Sequence, residues 1–225
     1  MQHFPPNRLA AAAITATLLA LPAFAADPTG DPAAGAAKIA VCTACHGQTG
    51  VSITPMYPNL AGQGTKYLHK QLRDIQAGTR PVVEMTGMLD GLSDQDLADI
   101  AAYYAVQEPV ITGSQEVADA AYGLSAAEFL ALGERVFRGG NLNTGVAACT
   151  GCHSPTGSGN APAAYPALGG QHADYLIKQL KNFQTNMRTN DGDSRIMRAV
   201  AAPMSDLEIR AVANYLAGLH GTPAP

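Results

Sequence analysis

Cys42-Thr43-Ala44-Cys45-His46 and Cys149-Thr150-Gly151-Cys152-His153 repeat one five-residue pattern, and between them they use all 4 cysteines of the 225-residue chain. Cys-x-x-Cys-His is the pattern by which a c-type haem is attached: two thiols meet the two vinyl groups, and the histidine that follows is held against one face of the iron. Two copies imply two covalently bound haem c groups, attached through Cys42, Cys45, Cys149 and Cys152, with His46 and His153 as iron ligands. A four-cysteine zinc ribbon brings its pairs within ~15–20 residues and has no use for a histidine after each pair. A thioredoxin-like site needs a strand-helix context, which neither copy shows. Structural disulfides would leave His46 and His153 without a reason.

The N-terminus reads as a secretory signal. Arg8 supplies the positive charge, Leu9 to Leu21 is an apolar run, and Ala23-Phe24-Ala25 is a small-x-small cleavage site. The run is too short for a permanent membrane span. Export and haem attachment then point to one compartment, the bacterial periplasm. Without Arg8 the chain carries 13 basic and 18 acidic residues, a formal charge of −5, which makes nucleic acid an unsuitable partner. The charge is uneven, with five basic and nine acidic residues in 26–110 against eight and nine in 111–225. That asymmetry reads either as a dipole that orients the molecule toward redox partners or as an ordinary solvated surface.

The two halves align beyond the haem words. Tyr57-Pro58-Asn59-Leu60-Ala61-Gly62-Gln63 matches Tyr165-Pro166-Ala167-Leu168-Gly169-Gly170-Gln171, and Tyr67-Leu68-His69-Lys70-Gln71-Leu72 matches Tyr175-Leu176-Ile177-Lys178-Gln179-Leu180. The chain is therefore a duplicated domain. Residues 1–25 are the signal, 26–108 the first domain, 109–124 a linker rich in proline, glycine and small polar residues, and 125–225 the second domain. The second copy carries an insertion of four residues around Thr189 to Ser194.

The signals are helical throughout, and strand-like alternation is absent. Asp31-Pro32 predicts an N-cap and a first helical proline, opening a helix that runs into the first haem word. Ser125-Ala126-Ala127-Glu128 is a capping box for a helix through Leu130, Val136 and Phe137. Tyr67, Leu68, Gln71, Leu72 and Ile75 share one helical face, ended near Gly78. A last helix in each half opens at Ser93-x-x-Asp96 or Ser205-x-x-Glu208. Its inward residues are Leu97, Ile100, Ala101 and Tyr104, or Ile209, Val212, Ala213 and Leu216.

An electron-transfer haem needs a second axial donor, commonly methionine sulfur. The candidates are Met56, Met85 and Met88 in the first half and Met187, Met197 and Met204 in the second. Anchored on the last helix, the halves differ by an offset of 112 residues, which pairs Met85 with Met197 and leaves every other methionine without a counterpart. Met85 and Met197 are thus the expected ligands; Met88, Met187 and Met204 read as fillers of irregular core gaps. Before the insertion the halves differ by an offset of 108, which sets His69 opposite Ile177 and His172 opposite Gly64, so these histidines and His220 are expected at the surface. Pro58 and Pro166 read either as simple turns or as carbonyls that accept the second N–H of the haem histidines. Gln63 and Gln171 read as propionate contacts or caps of the following helix.

With the haem words, the Tyr-Pro-x-Leu-x-Gly-Gln segments, Glu84-Met85-Thr86-Gly87-Met88 and Asn190-Asp191-Gly192-Asp193 before Ile196-Met197-Arg198 in view, the chain resembles the cytochrome c4 family over essentially its whole mature length. That resemblance implies an all-α fold of two tandem class I cytochrome c domains related by a pseudo-twofold axis, with the haems facing across the interface and their propionate edges close. It also implies a periplasmic carrier, soluble or loosely membrane-associated, that takes electrons from a quinol-oxidising complex and delivers them to a terminal oxidase. The family's axial methionines fall on Met85 and Met197.

One-electron transfer without catalysis is the expected function. A di-haem peroxidase would need one haem with an open or labile sixth position, and both halves keep a paired methionine. An electron-accepting subunit of a periplasmic dehydrogenase shares every residue named above and stands as the alternative. For a storage or sensor role the sequence offers no dedicated feature.

Overall fold

The computed structural model describes Met1 and residues 28–220, so the expected signal at 1–25, Met1 apart, lies outside the described residues. The first half contains α1 (Pro32–Ala36), α2 (Thr43–His46), α3 (Thr65–Gln76) and α4 (Asp94–Ala105). The second contains α5 (Ala126–Gly139), α6 (Thr150–His153), α7 (Ala173–Gln184), α8 (Ile196–Ala201) and α9 (Asp206–Gly218). Strand pairing among the described residues is confined to isolated bridges such as Asn141 with Val146.

Local chemistry sets the helix starts. The Asp31 carboxylate accepts the Ala33 N–H with Pro32 at the first helical position, and reciprocal capping boxes open α4, α5 and α9 at Ser93, Ser125 and Ser205. The first helix differs from expectation. It stops at Ala36 instead of reaching the haem word, and the chain then turns so that Ile39 enters the core before Cys42.

In each half the first and last helices cross backbone to backbone. A Cβ built on Gly35 would lie 2.1 Å from the Asp99 carbonyl oxygen, and one on Gly133 would lie 2.1 Å from that of Ala211. Only glycine permits this approach. Around the crossings, Ile39, Leu68, Ile100, Ala101 and Tyr104 form one core, and Phe137, Leu176, Met204, Ile209, Val212 and Leu216 belong to the other.

Hydrogen bonds show the register of the duplication. Gln76 donates to the carbonyls of Leu89 and Leu92 at 2.8 and 2.9 Å, and Gln184 donates to those of Ala201 and Met204 at 3.1 and 2.7 Å. The extra residues of the second half lie between these points. They are folded back by a largely buried ion pair in which Arg198 Nε meets Asp191 Oδ1 at 2.7 Å. The expected linker is strapped onto the second half: Gly113 N–H donates to the Ala217 carbonyl at 2.9 Å and Gln115 N–H to Asn214 Oδ1 at 2.8 Å.

Candidate functional site

Each haem word forms a single helical turn, with Cys42 or Cys149 just before it and His46 or His153 at its end. A turn of helix brings i and i+3 to one side, which is the spacing of the two thiols. None of the four cysteines is paired in a disulfide, and all are half-buried. Burial pushes the Cys42 thiol up, and the Cys149 thiol up to about 11, so neither has the low-pKa thiolate character of a redox nucleophile. Among the described residues no cluster of three or more His, Cys, Asp or Glu side chains forms a direct metal site.

Both haem histidines are buried. His46 Nδ1 lies 2.9 Å from the Pro58 carbonyl oxygen, and His153 Nδ1 lies 2.9 Å from that of Pro166. A carbonyl only accepts, so Nδ1 carries the proton and donates, which leaves Nε2 as the nitrogen free to bind a metal. Burial holds both imidazoles below their ordinary pKa, with the carbonyls opposing it, and the neutral form is the one that ligates. Tyr57 and Tyr165 flank the two imidazoles at ring-centroid separations of 6.2 and 6.3 Å. The prolines therefore act as acceptors for the histidines.

A continuous cavity of about 1120 Å³ runs through both halves. Its lining includes the four cysteines, His46 and His153, Met85 and Met197, and apolar residues of both cores such as Leu68, Ile100, Leu176 and Val212. Met85 sits on a 3-10 turn (Val83–Met85), whereas Met197 lies in the first turn of α8. Of the methionines read as core fillers, only Met204 is one, at 4% exposure. Met88 and Met187 are 46% and 66% exposed, at the surface. Both flank the cavity because their turns lie at its edge.

The wall between the halves is polar and reciprocal. Arg80 donates to Gln71 Oε1 and the Tyr175 hydroxyl, each at 3.0 Å. Arg188 donates to Gln179 Oε1 at 2.8 Å, to Gln71 Oε1 at 2.9 Å and to the Tyr67 hydroxyl at 3.4 Å. Both arginines are only 7% exposed, and no carboxylate of the described residues forms an ion pair with either. Arg80 Nε is buried without a partner. Two buried cations without paired anions, beside an apolar cavity carrying thiols and ligating imidazoles, fit haem groups with their propionates near this wall. Neither arginine was evident as a functional residue in the sequence. The signal was present in their shared offset of 108 with Tyr67/Tyr175 and Gln71/Gln179.

Two further expectations are corrected. His69 is buried and not at the surface, because its Nε2 lies 2.8 Å from Asp94 Oδ1. His172 is half-buried, with Nε2 at 3.0 Å from the Ser52 carbonyl of the first half, while His220 is exposed. Gln63 makes no side-chain bond to the next helix, whereas Gln171 Oε1 accepts the N–H of His172, the N-cap residue of α7, at 3.0 Å, and both glutamines also reach the opposite half. Gln63 donates to the Ala167 carbonyl at 2.7 Å and accepts the Ala167 N–H at 3.1 Å; Gln171 does the same to Asn59 at 2.9 and 2.8 Å.

Paired buried imidazoles, paired Cys-x-x-Cys turns and one two-lobed cavity define a di-haem c-type cytochrome. The family model for cytochrome c matches residues 32–105 and 131–220. Cytochrome c4 of Azotobacter vinelandii is 52% identical over 204 residues, covering 87% of this chain and 92% of that protein. The crystal structure of reduced recombinant cytochrome c4 from Pseudomonas stutzeri superposes with a TM-score of 0.78 at 51% identity, over 85% of this chain and 100% of that one. A thiosulfate dehydrogenase electron acceptor of Thiomonas intermedia is 36% identical over 221 residues, covering 96% of this chain and 94% of that protein. The chain belongs to the cytochrome c4 family, di-haem electron carriers with two covalently attached haem c groups.

Proposed function

We propose that the chain is a periplasmic carrier in which His46 and Met85 would hold the iron of the first domain and His153 and Met197 that of the second. The domains are 26–108 and 125–225, with 109–124 as linker. When bound, each haem supplies one-electron exchange between Fe(II) and Fe(III). The protein's part is to close both faces of each iron, exclude water and hold the ligands in place, so that little reorganisation accompanies the electron. The supporting observation is that each histidine, its Nδ1 tied to a proline carbonyl, lines the same cavity as the methionine of its own half.

The electron source is a quinol-oxidising complex and the acceptor a terminal oxidase, the roles implied by the family. Among the described residues no helix is long and apolar enough to cross a membrane. Docking uses weak, salt-sensitive electrostatics around the exposed haem edges. A second reading has one specific support, the likeness over nearly the full chain to the thiosulfate dehydrogenase electron acceptor of Thiomonas intermedia. In it a periplasmic dehydrogenase is the donor.

An optical redox titration of the purified protein tests the site. Two haems, a near-infrared methionine-to-iron band of two-site strength and no uptake of carbon monoxide by the reduced protein are expected. Rapid uptake in either domain would overturn closed coordination. Co-purification with a large dehydrogenase would select the second donor.

A further inference from the structure

Pro58 and Asn59 share one peptide group, and that group is bonded at both ends. Its carbonyl oxygen accepts the His46 Nδ1–H at 2.9 Å, and its N–H donates to Gln171 Oε1 of the other domain at 2.8 Å. The duplicated site repeats the arrangement: the Pro166 carbonyl accepts the His153 Nδ1–H at 2.9 Å, and the Ala167 N–H donates to Gln63 Oε1 at 3.1 Å. Each chain runs from a haem histidine, through one amide, into the opposite domain. The Asn59 contact is buried, and Gln63 and Gln171 are themselves buried.

From this geometry we propose that Gln171 sets the ligand basicity of His46, and Gln63 that of His153, each glutamine acting as a positioning residue for the haem of the domain it does not belong to. An amide that donates through its N–H has a more negative carbonyl oxygen, and successive hydrogen bonds strengthen one another by ~10–30% per bond. A stronger acceptor at Nδ1 makes the imidazole a better donor to iron, which favours the ferric state and lowers the potential. Domain docking and ligand basicity are thereby linked, because separating the domains breaks both chains. Side-chain donation back to the Asn59 and Ala167 carbonyls, at 2.9 and 2.7 Å, holds each glutamine in register.

The inference rests on His46 and His153 being the iron ligands, and its test separates the two. Gln171→Met and Gln63→Met keep side-chain volume and remove the acceptor; Gln171→Glu keeps an acceptor facing the Asn59 N–H and makes it stronger. Domain-resolved redox titration by NMR of the holoprotein is expected to show that Gln171→Met raises the first-domain potential more than the second. The reduction equilibrium constant changes by a few-fold, less than the tenfold that corresponds to 59 mV. Gln171→Glu lowers the same potential, and Gln63→Met acts mainly on the second domain. The hyperfine-shifted ring N–H of His46 moves in the Gln171 variants, and that of His153 in Gln63→Met. Equal shifts in both domains, shifts confined to the substituted domain, or unchanged ring N–H signals would overturn the proposal. Absence of both ring N–H signals from the oxidised wild-type protein would instead remove the ligand reading on which it rests.

Discussion

Arg80 Nη2 donates to the Tyr175 hydroxyl at 3.0 Å across the domain boundary, and Arg188 reaches Tyr67 in return at 3.4 Å. A duplicated chain whose halves pack against each other through equivalent surfaces generates such contacts in pairs, since whatever one half offers the other, it receives. The two arginines consequently lie at the common wall of both haem compartments. The arrangement concentrates positive charge where two sets of propionates can share it.

Replacing Arg80 with Met removes a buried cation and its bonds to Gln71 and Tyr175. Hydrogen bonds to a charged group are worth about 1.5–3 kcal/mol each, so urea unfolding of the holoprotein should show a loss of at least this order. Both haem potentials are expected to fall, because a nearby positive charge favours the reduced state. An unchanged redox titration would show that the guanidinium is screened from both irons.

Met85→Ala and Met197→Ala should each remove about half of the near-infrared methionine band and open one iron to carbon monoxide. The two variants are expected to behave alike despite their different local structures, a 3-10 turn and a helix. Retention of the full band in either variant would move the ligand elsewhere.

Asp191→Ala breaks the pair with Arg198, whose side chains are 8% and 15% exposed. Loss of one member of a buried ion pair costs about 3–5 kcal/mol. Because Arg198 follows Met197, thermal loss of the near-infrared band should begin earlier in the second domain than in the first. Melting followed at that band, compared with the wild type, checks this.

At Gly35 and Gly133 a methyl group would meet a carbonyl oxygen of the crossing helix. Overpacking of this kind costs about 1–3 kcal/mol. For a protein of this size each kcal/mol corresponds to roughly 2–4 °C in Tm. Gly35→Ala should destabilise the first domain and Gly133→Ala the second, measurable by hydrogen exchange at α4 and α9.

Asp99 accepts Lys38 Nζ at 2.5 Å, the Asp31 N–H at 2.9 Å and Gln95 Nε2 at 2.8 Å. The Lys38 bond, then the Asp31 N–H and Gln95, hold its carboxyl below the ordinary 3.8. A depressed folded-state pKa contributes stability that is complete above the unfolded value and is lost as pH falls through the folded one. Packing of α1 on α4 should therefore loosen below pH 3.8. The second domain has Ala211 at the corresponding position and lacks this contact. Hydrogen exchange against pH should show α1 and α4 opening in acid before α5 and α9, with the difference abolished in Asp99→Asn.

Much of this molecule is determined locally. Cys-x-x-Cys-His attaches haem through the order of adjacent residues, and capping boxes at Ser93, Ser125 and Ser205 start helices from groups three residues apart. Duplication added a comparison within one chain, which separated Met85 and Met197 from the remaining methionines. What the sequence alone left open were groups whose partners are distant along the chain. Gln63 and Gln171 read as propionate contacts or helix caps, and the tertiary structure bonds them to Ala167 and Asn59 of the opposite halves. Arg80 and Arg188 carry no motif of their own, and burial against the opposite half gives them their role. His69 became buried because folding brought Asp94 to its ring. Covalent and capping chemistry is written in neighbouring residues, whereas burial and pairing across an interface exist only once the two halves are docked.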